Sequence, residues 1–248
     1  MRFVAIPLAA LLAGLAPPDD RANLLAAAKR AAEVRSYAFQ GETKVSYPEA
    51  MAKAGGSDPV KFEGRHDREA GTLLRTDQYE FAIVDGKTAG RPTPEWRPIK
   101  EEDEGEVQRG LLRGLAATRP IRAPHEDFAA YPKRVARVKK AGAKEAVGDR
   151  ECDVYESEFT EEGAREAVRS ILPMARWIDR IRSEMTATER VWVDPEGRIL
   201  KVETAAKVVA NVQGRDLEIT ATRTAALSGF DSTKVEIPEA AKKALAGK

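Results

Sequence analysis

Arg190-Val-Trp-Val-Asp-Pro-Glu-Gly-Arg-Ile-Leu-Lys-Val202 decides the fold of this chain. Arg190 to Val193 is rich in β-branched and aromatic residues, and Asp194-Pro195-Glu196-Gly197 puts Pro and Gly where a tight turn favours them. Strand character resumes at Ile199, runs to Val212, turns at Gln213-Gly214 and returns from Leu217 to Leu227. Strands joined this tightly pair antiparallel, because a parallel pair needs a crossover of about a dozen residues or more.

The same pattern extends toward the N-terminus. Glu151-Cys-Asp-Val-Tyr-Glu156 alternates, with strand character from Val135 to Val147 before it and a turn near Gly148-Asp149 between them. From Tyr37 the odd positions read Tyr37, Phe39, Gly41, Thr43, Val45 and Tyr47, with polar residues between them, as on a strand with one apolar face. Val60 to His66 alternates again, and Tyr79 to Val84 turns at Asp85-Gly86, a hairpin signal whose returning arm leads to Trp96.

Helical spacing is confined to a few segments. Asp20 to Val34 carries an apolar stripe through Leu24, Leu25, Ala28, Ala31 and Ala32, with Asp19 or Asp20 as cap. Thr160 caps a second segment, an insert over residues 161–185 with one stripe through Ala164, Ala167, Val168, Ile171 and Leu172. Its other stripe runs through Met174, Trp177, Ile178, Ile181 and Met185, and Pro173 kinks or splits the helix between them. Val107, Leu111 and Leu115 have helical spacing weakened by Gly110 and Gly114, and Pro120, Pro124 and Pro132 break the next stretch into short pieces. A short helix closes the chain over 238–246. The expected fold is α+β: a single curved antiparallel sheet, an open or half-closed barrel, with helices packed on its concave face. Nothing resembling a linker interrupts residues 20–248, so they read as one domain.

The first residues address the chain. Met1-Arg2 is a positive start, Phe3 to Leu15 is apolar and uncharged, and Ala13, Gly14 and Ala16 are small, the layout of a secretory signal peptide over residues 1–16. The expected location is periplasmic or secreted. Cys152 is the one cysteine, which excludes an intrachain disulfide, and no cysteine follows the apolar run to carry a lipid anchor. Its alternation with Val154 makes it a buried strand residue rather than a reactive thiol. Lys and Arg number 41 against 40 Asp and Glu, so no global field points to nucleic acid. Lys133-Arg134-Val-Ala-Arg137-Val-Lys139-Lys140 reads first as the wet face of a strand, and second as a contact for an anionic membrane surface or a membrane-bound partner.

Catalytic and metal motifs are missing from the sequence. The only histidines, His66 and His125, have no second His or Cys at ligand spacing, and neither a phosphate-binding loop nor a Gly-x-Ser-x-Gly elbow occurs. The expectation is a non-enzymatic protein without metal or cofactor. The candidate ligand-lining residues are the aromatics on or beside strands: Tyr37, Phe39, Tyr47, Phe62, Tyr79, Phe81, Trp96 and Trp192. They either fill a core under the helices or line an apolar cavity on a concave sheet.

The order of elements resembles the LolA/LppX-like family of lipoprotein and lipid carriers. The likeness rests on the N-terminal helix before Val34-Arg-Ser-Tyr37-Ala-Phe39, the Asp85-Gly86 hairpin leading to a Trp, the strand pair Val147-Gly-Asp-Arg-Glu-Cys-Asp-Val-Tyr155, and Val191 to Val202. It implies a half-barrel with an apolar cavity for acyl chains and no enzymatic activity. The lipidated Cys of mycobacterial-type members is absent here. The insert 161–185 stands where a shorter connection is expected, which marks Met174, Trp177, Ile178 and Ile181 as a lid or partner surface. Two functions are therefore carried forward: a monomeric carrier for a lipid, a lipoprotein acyl chain or another amphiphile, and an envelope interaction or sensor module with a filled core.

Overall fold

The computed structural model describes residues 19–48, 58–77, 79–91, 95–99, 122–172, 183–212 and 214–247. The expected signal peptide, the Val107–Leu115 spacing, and the lid candidates Met174, Trp177, Ile178 and Ile181 lie outside the described residues. Helix α1 (Asp20–Glu33) is capped by the Asp19 carboxylate, which accepts from the backbone N–H of Arg21 and of Ala22. Twelve strands follow among the described residues: β1 (Ser36–Ser46), β2 (Val60–Asp67), β3 (Gly71–Thr76), β4 (Glu80–Val84), β5 (Lys87–Arg91), β6 (Arg97–Ile99), β7 (Val135–Lys140), β8 (Glu145–Val147), β9 (Arg150–Phe159), β10 (Ser183–Val193), β11 (Ile199–Val212) and β12 (Arg215–Ser228). Short helices α2 (Pro124–Ala129) and α3 (Tyr131–Arg134) precede β7, α4 (Glu161–Ile171) follows β9, and α5 (Glu239–Leu245) comes last.

One antiparallel sheet holds the strands in the order β6-β5-β4-β3-β2-β1-β12-β11-β10-β9-β7, with β8 paired to β9 off this path. The first and last strands pair at its centre, and the path does not close, giving the curved α+β half-barrel expected. The hairpin at Asp85-Gly86 has both residues in the left-handed region, φ 50° and 72°, as a two-residue turn requires. Two boundaries differ from expectation. The single strand read over Val135–Val147 is two, β7 and β8, each paired to β9. Met185, read as part of the helical insert, stands on β10. Helix α4 stops at Ile171 because Leu172, held extended at ψ 120°, precedes Pro173, whose ring disfavours a helical neighbour.

Helices α1 to α4 cover one face of the sheet, which carries two apolar clusters. The larger gathers Leu24, Ala28, Tyr37, Phe39, Leu74, Val191 and their neighbours; the smaller gathers Val45, Val168, Ile171, Val208 and Ile219 beneath α4. The reverse face is covered at one end by α5, where Ala241 and Ile237 meet Ala82.

Three cross-strand pairs set the floor of the larger cluster. Gly41 stands opposite Phe62, Gly64 opposite Phe39, and Gly90 opposite Phe81. A Cβ on Gly64 would lie 2.2 Å from the Phe39 ring, and one on Gly41 would lie 2.6 Å from Phe62. Each ring thus lies across the backbone of its glycine, an arrangement in which the aromatic side chain covers the bare strand.

Candidate functional site

A polar row crosses the helix-covered face at right angles to its strands. Register places Ser157 opposite Glu189, Glu189 opposite Thr204, Thr204 opposite Arg223, and Arg223 opposite Thr43. Ser157, Glu189, Thr204 and Arg223 are all buried, with relative exposures of 2%, 6%, 9% and 7%. One step to either side the face is apolar again. Tyr155, Val191, Val202 and Ala225 belong to the larger cluster, and Ala187, Ala206 and Ala221 to the smaller. The row is therefore a polar belt between two apolar halves.

Helices α2 to α4 complete the belt from above. Asp127 of α2 receives the Arg134 guanidinium at 3.0 Å and lies 3.8 Å from Arg223. Arg134 also donates through Nε to Glu166 of α4. Arg223 donates to the Arg122 carbonyl at 2.8 Å, and its guanidinium lies 5.1 Å from the Phe62 ring centre. Gly163 makes this joint possible, because a Cβ there would approach the Arg134 carbonyl oxygen to 2.5 Å. One arginine thus ties three helices together over the belt.

Glu189 is the exception in this network. Thr204 donates to its Oε1 at 2.6 Å, but Oε2 is buried without a hydrogen-bond partner, and so is the Tyr131 hydroxyl. Burial pushes the Glu189 carboxyl up to about 8, with the Thr204 hydrogen bond opposing the rise. Both residues line a cleft of about 40 Å³ between the belt and α2 to α4, together with Asp127, Phe128, Phe159 and Ser170. That space holds a few waters or one small group, well short of the roughly 300 Å³ at which ligand pockets begin.

The two histidines meet beside this site. Their rings stack at 3.8 Å, and the Tyr37 hydroxyl lies 2.8 Å from His125 Nδ1 while accepting from the His125 backbone N–H at 3.1 Å. Burial, the neighbouring His66 and Arg68 push His125 down to about 3, so the ring that shares this hydrogen bond with Tyr37 is neutral. His66 in turn bonds Thr72 at 2.9 Å. Among the described residues no group of three or more His, Cys, Asp or Glu could hold a metal ion.

The aromatics predicted from sequence to line a ligand divide three ways. Tyr37, Phe39, Phe62 and Phe81 come together in the larger cluster with Tyr79 at its edge. Tyr47 borders the smaller cluster instead. Trp96 and Trp192 are on the reverse face: Trp96 packs toward α5, and Trp192 joins Cys152, Val154 and Leu200. The physical reason for Trp192 is alternation, since Val191 and Val193 point into the larger cluster. Its indole N–H donates to Glu145 at 2.9 Å, and Lys201 sits 4.2 Å from its ring centre. Cys152 is fully buried there, as expected of a strand residue. Among the described residues no helix is long and apolar enough to cross a membrane.

Distant likenesses occur among solved structures. The chain is similar to LprF from Mycobacterium bovis, with 9% identity over 90% of this chain and 98% of that one and a TM-score of 0.48. It is similar to the lipoprotein LppX of Mycobacterium tuberculosis, with 9% identity over 90% and 100% of the two chains and a TM-score of 0.44. A DUF1329 family protein from Desulfovibrio piger gives 10% identity over 90% and 96%, with a TM-score of 0.31. No protein-family model matches the chain, and no curated protein does.

Proposed function

We propose that this chain is a non-enzymatic, exported carrier or binding protein for an amphiphile, its apolar part lying on the helix-covered face and its polar end at the belt. The observation that carries this reading is the belt itself. An unpaired buried carboxyl and a buried ion-pair network stabilise a fold no better than apolar residues of the same volume. Their place between two apolar clusters suits a ligand that is part polar and part apolar. The flat phenyl rings over Gly41, Gly64 and Gly90 supply an apolar floor beside them.

The cleft of about 40 Å³ is the closed state of such a site. Admitting an acyl chain requires α2, α3 and α4 to lift, and their joint is the Arg134 bridge to Asp127 and Glu166. Each methylene then buried contributes about 0.8 kcal/mol, so a sixteen-carbon chain gains roughly 12 kcal/mol before ordering costs. That gain is set against the ion-pair joint and the apolar contacts that Phe128, Tyr131, Val168 and Ile171 make with the sheet, which opening breaks. Cargo is a lipid or the acyl group of a protein, and the carrier works as a soluble monomer outside the cytoplasm.

Native mass spectrometry with solvent extraction of the secreted protein tests the reading. Co-purified or acquired lipid supports it; a mass that stays clean after incubation with lipid overturns it. The observation favouring the second reading, an interaction module with a filled core, is that Tyr37, Phe39, Phe62 and Phe81 are each no more than 4% exposed. That reading predicts no lipid uptake.

A further inference from the structure

The cleft is built for one sign of charge. Asp127 is shared by Arg134 and Arg223, and Glu166 takes the remaining face of Arg134. Arg223 is spent on Asp127, the Arg122 carbonyl and the Phe62 ring. Among the described residues Glu189 forms no salt bridge; it and Tyr131 both line the cleft, and its Oε2 and the Tyr131 hydroxyl are buried without hydrogen-bond partners. Around them stand aromatic rings in edge-on contact, Tyr131 being 5.6 Å from Phe128 and 6.4 Å from Phe159 between centres.

We propose that this cleft binds a compact primary ammonium group at the polar end of the cargo, held between Glu189 Oε2 and the Tyr131 hydroxyl among the rings of Phe128, Tyr131 and Phe159. The proposal rests on the carrier reading and adds the headgroup chemistry. With Glu189 ionised, the two buried arginines face three carboxylates, those of Asp127, Glu166 and Glu189, and an ammonium restores neutrality. A carboxylate or phosphate headgroup would instead stand against Asp127 and Glu189. Electron-rich ring faces add attraction for a desolvated cation. Hydrogen bonding sets the second selection: –NH3+ can donate to Glu189 and to the Tyr131 hydroxyl, and a trimethylammonium has no N–H to donate.

Binding of a cation is linked to loss of the Glu189 proton. Thr204, Asp127 and Arg223 act on that carboxyl directly, and Tyr131 and Arg134 on α3 and Ser170 on α4 line the same cleft. The neutral carboxyl must ionise to pair with an ammonium, so affinity rises with pH while the amine keeps its charge.

The experiment is displacement of a hydrophobic fluorophore from the intact protein by dodecylammonium, dodecanol, dodecanoate and dodecyltrimethylammonium, each below its micelle concentration. Wild type is expected to bind dodecylammonium about tenfold or more tighter than dodecanol, and dodecanoate and dodecyltrimethylammonium more weakly than either. The preference should grow between about pH 6 and about pH 9. Glu189→Gln should abolish the preference of amine over alcohol, and Tyr131→Phe should reduce it severalfold. Equal binding of amine and alcohol, a preference for dodecanoate, or a preference that survives in Glu189→Gln overturns the proposal. If no dodecyl compound displaces the probe, the carrier reading itself falls and the proposal with it, a result distinct from indiscriminate binding.

Discussion

Replacing Glu189 by Gln should make this protein more stable at neutral pH, although the change falls in the middle of the core. Glu189 is fully buried on the sheet and raised from an ordinary 4.5 to about 8, mainly by desolvation. An acid raised on folding contributes stability that is complete below its unfolded value and is lost as pH climbs through its folded one. A carboxyl raised by one pH unit gives up about 1.4 kcal/mol, so the loss from acid to alkaline pH approaches about 5 kcal/mol, of which about 3 has gone by pH 7. Gln keeps an acceptor for the Thr204 hydroxyl and carries no charge to desolvate. Urea unfolding of wild type and Glu189→Gln at about pH 5, pH 7 and pH 9 reads the difference. The variant should gain about 3 kcal/mol over wild type at pH 7 and more at pH 9, with little separation at pH 5. Curves that fall in parallel across that range would refute the reasoning, since they would mean that Glu189 is solvated or paired in the folded protein.

Arg134→Gln leaves Asp127 and Glu166 without their shared cation; it should cost about 3 kcal/mol or more and raise amide exchange in 124–134 and 161–171 ahead of the sheet, read by hydrogen-exchange mass spectrometry. Gly41→Ala should be worse than Gly64→Ala, because its Cβ would meet a backbone oxygen, Thr224 O at 1.9 Å, where that of Gly64 meets the Phe39 ring; thermal melts rank the pair, and about 1–3 kcal/mol is expected for displacing a ring. Trp192→Phe removes the bond to Glu145 and the Lys201 contact on the reverse face, so it should lower the melting temperature while leaving fluorophore binding unchanged. His125 is held neutral by burial and lowered to about 3, so stability present above the unfolded value near 6.5 is lost as pH falls below it; His125→Gln should lessen that acid loss in unfolding titrations.

The sheet was legible because its signals are local. Alternation from Tyr37 to Tyr47, the Asp85-Gly86 turn and the Asp194–Gly197 turn each constrain a few neighbouring residues, and the structure uses them as read. Even the assignment of Trp192 to the reverse face was available, since Val191 and Val193 share the opposite parity. The belt was harder. Glu189, Thr204 and Arg223 each sit on the apolar parity of their strand, flanked by Ala187 and Val191, Val202 and Ala206, and Ala221 and Ala225, and a charge at such a position is a signal. Joining them into a row needs the register of three strands, and a bulge between Trp192 and Val193 shifts the count by one. His66 and His125 are 59 positions apart in the chain, so no spacing rule brings their rings to 3.8 Å.

Stability and use pull the belt in opposite directions, and this separates it from ordinary core. Alanines and valines one step to either side show that this sheet can pack apolar residues at that level, and an all-apolar row would avoid the desolvation of Glu189 and Arg223. A row kept polar at that expense needs a compensating role, and a carrier has one. An apolar trough alone would bind a chain in either direction and at any depth. A polar stop within it fixes which end enters and how far. On the carrier reading the same stop eases entry: desolvating Glu189 in the empty state lowers the free energy needed to part α2, α3 and α4 from the sheet, so the residue that would orient the cargo would also help to admit it.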